Sequence, residues 1–148
     1  MEKNPTLQKA EKIINKHVLW AMASAAMPIP FVDAIGVMFI QNDMLKQLSK
    51  LYDFDYDANI GKSIVSSIIA TSSAKGMSLL FREDKGADRL LMTVLSGAFT
   101  YGMGRFFLTF FEKGISLIDI DLKAGEELFS EYFEKGKEVA SEMAGKKN

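Results

Sequence analysis

Three long stretches of this chain are almost purely apolar, and each carries one full charge. His17 to Asn42 holds only Asp33, Ser63 to Phe81 only Lys75, and Leu90 to Phe111 only Arg105. Such stretches must become helices hidden in one another or in lipid. Crossing the hydrocarbon core takes about 20 predominantly apolar residues. The longest charge-free runs, Val18 to Val32 and Leu90 to Gly104, reach 15. With one charge tolerated, all three stretches approach spanning length. Two placements therefore stay open. In a membrane-inserted chain, helical hairpins break at Pro28 and Pro30 and each lone charge faces a partner charge, a cavity or the interface. In a soluble or peripheral bundle, the same charges are hydrogen-bonded or ion-paired at the ends of a buried core.

A length of 148 residues predicts one helical domain over 1–148, with 1–4 and 145–148 frayed. With 18 basic and 19 acidic side chains the net charge is −1, so no global field recruits nucleic acid. The absence of cysteine excludes disulfides, thiolate metal sites and a Cys nucleophile, and fits a reducing compartment. Only three prolines interrupt a chain that is 48% hydrophobic, which predicts an all-α fold of about five helices. Met1 to Lys12 is polar, unlike a secretory leader.

Capping signals place the helices. Asn4-Pro5 starts the first, whose Leu7, Ala10, Ile13, Ile14, Val18 and Ala21 share one face. Met27-Pro28-Ile29-Pro30 breaks it, because two amide donors are lost and the residues before proline leave the helical region. A second helix is expected over Phe31 to Tyr52. Asp57 caps a third, from about Ala58 to Phe81, in which Ser66, Ala70, Ala74 and Ser78 recur every four residues and would let another helix approach closely. A fourth runs from about Asp88 to Lys113 and closes at Gly114. A fifth, capped by Asp121, carries the stripe Leu128, Phe129, Tyr132, Phe133, Val139, Ala140 and Met143. Gly125, Gly136 and Gly145 should weaken it locally.

No complete enzyme motif is present, so neither a reaction nor a cofactor is expected. Gly61-Lys62-Ser63 matches the end of a phosphate-binding loop, but the glycine required five positions earlier is Tyr56 and no strand precedes it. Asp53, Asp55 and Asp57 alternate as in a calcium loop, yet Ala58 and Ile64 replace its glycine and closing glutamate. His17, the only histidine, reads as a helix-face residue at a membrane or core boundary. Phe106, Phe107, Phe110 and Phe111 beside Arg105 form either a lipid-facing belt with a headgroup-binding cation or core.

Met27-Pro28-Ile29-Pro30-Phe31-Val32-Asp33-Ala34, followed by Gln41, Met44, Leu48 and Tyr52, resembles the bacterial YcjF-like domain of unknown function associated with small GTPases. Gly97 to Arg105, Phe110 to Gly114 and Glu131 to Lys137 extend the resemblance over most of the chain. It implies a helical, frequently membrane-associated module with no established catalytic role, next to a GTPase domain or apart from one. This chain carries no GTPase domain of its own. The expected function is a non-enzymatic membrane-associated module that self-assembles or docks a partner, a GTPase among the candidates. It would sit on the cytoplasmic side of the bacterial inner membrane. The alternative is a soluble helical adaptor or homo-oligomer in the cytoplasm. Candidate residues are Pro28 and Pro30, which shape the first hairpin; Asp33, meeting Lys75 or Arg105; and Tyr101, Gly104 and Arg105 in the second stretch that carries the resemblance.

Overall fold

The computed structural model describes residues 4–26, 34–72, 74, 76–80 and 88–145. Pro28, Pro30, Asp33 and Lys75 lie outside these described residues. The architecture is all-α, with no strand among the described residues. In chain order the elements are α1 (Pro5–Ala26), α2 (Ala34–Leu51), α3 (Ala58–Thr71), the single turn α4 (Met77–Leu80), α5 (Arg89–Glu112), a 3₁₀ turn (Leu117–Asp119) and α6 (Leu122–Gly145).

The helix ends are set locally, as the capping residues predict. The Asn4 side chain accepts from the Leu7 amide at 2.7 Å, so this residue, expected to fray, anchors α1. Asp57 accepts from the amides of Asn59 and Ile60, Asp88 from Leu90, and Asp121 from Lys123 and Ala124. Gly114 ends the fourth long helix with φ +77°, a left-handed value that glycine adopts without penalty.

One expected helix is interrupted. The segment expected to run from Ala58 to Phe81 stops at Thr71, because Ser72 turns extended (φ −68°, ψ 131°) while its amide still donates to Ile68. The Ser72 hydroxyl then accepts from the Ala74 amide, and Gly76 takes φ +99° before α4 begins. Ser66 and Ala70 are exposed, so the four-residue ladder is not a continuous packing seam.

α5 is the central helix. Fifteen of its 24 residues are buried, and α1 and α6 pack most extensively against it. α2 lies across α1 and reaches α5, while α3 touches α2 and α6. A helix apolar all round is one surrounded by other helices, and this accounts for the charge-poor run from Leu90. No helix among the described residues is long and apolar enough to cross a membrane. The core is aromatic: Phe99, Phe106, Phe107, Phe129 and Phe133 have no exposed surface.

Glycines set how closely these helices approach. A methyl group built on Gly104 would lie 2.7 Å from Ile14 Cγ1, and one on Gly97 2.7 Å from Met22 Cγ, which fixes α1 antiparallel to α5. A methyl group built on Gly136 of α6 would meet the α5 backbone itself, 2.7 Å from the Ala98 carbonyl oxygen. Gly125 and Gly136, expected only to weaken α6, are both buried.

Candidate functional site

Of the candidates among the described residues, Tyr101 and Gly104 are buried on α5 and Arg105 is partly buried. The Arg105 Nη1 donates to Glu11 Oε2 on α1 at 3.3 Å, and its guanidinium carbon lies 5.6 Å from the Tyr132 ring centroid on α6. Thr109, one turn along, has its hydroxyl 3.2 Å from the Tyr132 hydroxyl. The lone charge of the Leu90 to Phe111 stretch therefore clasps α1 and α6 across the central helix. The acid it meets among the described residues is Glu11; the expected meeting with Asp33 lies outside them. Phe106, Phe107 and Phe111 are buried beside it, so the aromatic cluster is core and not a lipid-facing belt.

The second polar junction was not apparent in the sequence. His17 of α1 is fully buried, and both its ring nitrogens face oxygen acceptors: Nδ1 lies 2.7 Å from the Ile13 carbonyl and Nε2 2.7 Å from Asp43 Oδ2 on α2. Gln47 Nε2 donates to the same carboxylate oxygen at 2.8 Å. Two residues deeper, Gln41 of α2 donates to the Thr100 hydroxyl of α5 at 3.0 Å, and that hydroxyl donates to the Ser96 carbonyl. His17–Asp43 thus pairs α1 with α2 and Gln41–Thr100 pairs α2 with α5, and both fix register because a one-turn slip would leave buried groups unpaired.

Above this junction the rings of Trp20 and Phe39 meet edge to face at 5.8 Å, and the His17 ring lies tilted against Trp20 at the same separation. Phe39 is 61% exposed, and Leu19 and Trp20 are also exposed. Leu90 and Leu91 are exposed at the start of α5, where Arg89 Nη1 reaches the Ala26 carbonyl at the end of α1. Five of the seven exposed large apolar side chains among the described residues thus lie on the last turns of α1 and the first turns of α2 and α5, while Ile118 and Leu122 are exposed between the end of α5 and the start of α6.

Charge is segregated along the fold. α1 and α2 carry five lysines and two acids, and those two acids are Glu11 and Asp43, which meet Arg105 and His17. α6 carries six glutamates and three lysines. The near-zero net charge conceals a basic face and an acidic one.

Two tyrosines mark the far edge of α2. Burial pushes the Tyr52 hydroxyl up from 10.0 to about 12, with the Glu112 carboxylate adding to the shift. Burial and then the charge of Asp57 raise Tyr56 to about 12 as well. The Tyr56 hydroxyl donates to Asn42 Oδ1, tying the α2–α3 loop back to α2. No group of three or more acids and histidines that could hold a metal ion occurs among the described residues. Gly61-Lys62-Ser63 lies in the first turns of α3, where the Gly61 amide donates to Asp57.

A glycine-packed helical bundle with helix-to-helix polar clasps and a segregated surface defines the class: an all-α helical domain. The chain belongs to the family described as Domain of unknown function DUF697, whose model matches residues 3–138. It is 29% identical over 147 residues to "Magnetosome membrane protein 22" of Magnetospirillum gryphiswaldense, a match covering 93% of this chain and 75% of that protein. No solved structure matches the chain.

Proposed function

We propose that this protein is a non-enzymatic, membrane-associated helical module that self-assembles or docks a helical protein partner. The observation that carries the reading is the likeness, along nearly the whole chain, to a protein named for its place in a membrane. No described helix is long and apolar enough to cross a membrane, and attachment to the membrane surface is the form we propose. The polar pairs support a packing role rather than chemistry. His17–Asp43 joins α1 to α2, and Arg105–Glu11 joins α5 to α1. A GTPase is one candidate for the protein partner, since the resembled family is associated with GTPases, and the proposed site of action is the cytoplasmic side of the bacterial inner membrane.

Fractionation of expressing cells, an alkaline wash and mass measurement of the purified particle test place and assembly together. The expected result is sedimentation with membranes, release by the alkaline wash and a mass that is a multiple of the single chain. A protein that stays in the supernatant without detergent and runs as a monomer would instead be the soluble adaptor.

A further inference from the structure

We infer that the outer face of the α1–α2 hairpin docks on an anionic lipid bilayer, with Leu19, Trp20 and Phe39 entering the interface and the lysines of both helices lying against headgroup phosphates. This rests on the membrane reading above and assigns the surface that performs it.

The argument begins with register. Trp20 faces Phe39, and one turn on His17 faces Asp43, so α1 and α2 run antiparallel with their outer stripes side by side. On α1, Lys12, Lys16 and Trp20 follow at four-residue spacing; on α2, Phe39, Lys46 and Lys50 follow at spacings of seven and four. Both spacings keep residues on one helical face. All six side chains are exposed. The surface therefore reads as an aromatic patch continued by two parallel rows of lysine. The acid within these rows, Asp43, is 2.7 Å from His17 and so does not offset the lysines alone.

Charge complementarity selects the occupant. An anionic surface attracts this face and repels the glutamate-rich outer side of α6, so the molecule approaches in one orientation. The apolar part selects lipid over other polyanions. Trp and Phe beside a leucine, flanked by lysines, is the composition of a helix lying at the headgroup boundary, where rings sit at the interface and lysine stems reach outward. A nucleic acid would use the lysines but would leave Leu19 in water, and Trp20 and Phe39 are in contact with each other rather than parted to receive bases.

The test uses the full chain, vesicles of phosphatidylcholine with or without phosphatidylglycerol, and the emission of Trp20, the only tryptophan. Binding to the anionic vesicles with a blue shift of that emission is expected, with loss in high salt. The triple substitution Lys12→Glu, Lys16→Glu, Lys46→Glu should weaken binding about a hundredfold. Leu19→Ser with Phe39→Ser should weaken it about tenfold and remove the blue shift. Lys123→Glu, on α6, should leave it unchanged. These positions are exposed, and circular dichroism verifies that each variant keeps its helices. If the wild type binds vesicles while both hairpin variants bind equally well and Trp20 emission stays put, the assigned surface is wrong and the membrane reading stands. If neither vesicle binds, both fall. Tighter binding to a DNA duplex than to anionic vesicles at the same salt also overturns the proposal.

Discussion

The two sides of α1 are packed by opposite means. Toward α5, Ile14 and Met22 press their side chains directly onto Gly104 and Gly97, and the polar pair on that side, Arg105–Glu11, is partly exposed at its edge. Toward α2, the buried His17 meets the Asp43 carboxylate. The apolar seams around α5 obtain their strength from close packing, which tolerates no added volume. The α1–α2 seam obtains specificity from paired polar groups, each of modest net worth. A bundle built this way has a stiff centre and an outer hairpin held in register with its aromatic edge in water.

The sharpest way to break the contrast is to add volume at the centre. Gly136→Val drives a branched side chain into the Ala98 backbone, which cannot rotate away, and should cost about 3 kcal/mol. Urea unfolding followed by circular dichroism should show a lower midpoint at unchanged slope. A loss near zero would mean that α6 does not approach α5 as described.

Removing one polar partner of the outer seam should cost less. Asp43→Ala leaves the Nε2 of a fully buried histidine without its carboxylate and should lower stability by about 1–2 kcal/mol. The same unfolding experiment measures it, and equal losses at Gly136 and Asp43 would erase the distinction between the seams.

The smallest effect lies at the far end of α2. Tyr52 and Tyr56 titrate near 12 in the folded protein against 10.0 unfolded, so the folded state binds the proton more tightly. Their contribution is fully present below pH 10 and is lost as pH rises through about 12. Absorbance of tyrosinate followed against helix content should show two tyrosines ionising late, together with loosening of the α2–α3 edge. Early ionisation of all four tyrosines would place both hydroxyls in water.

What could be read beforehand was what is decided locally. Asn4, Asp57, Asp88, Asp121 and Gly114 bound their helices because a cap needs only its own turn. The break after Thr71 was hidden because the apolar pattern continues through it, while a serine hydroxyl bonded two residues on and a left-handed Gly76 decide the geometry. Arg105 was visible as a lone charge, but its acid lies 94 positions away, and only helix rotation and register select Glu11. His17 and Asp43, 26 apart, were obscure for the same reason. Glycines within α5 and α6 signal either weakness or contact. Only the facing helix settles which.

The position of α5 has a consequence for how the protein is made. α1 leaves the ribosome well before the helix that covers its Ile14 and Met22 face exists, because α2, α3 and α4 are synthesised between them. For some seconds at ordinary elongation rates that face has no native cover. α5 and α6, joined by a short connection, can pair as soon as both emerge. Final assembly is therefore a late closure of the first helix onto a C-terminal hairpin, and a nascent chain halted before α5 should be the form that holdase chaperones capture.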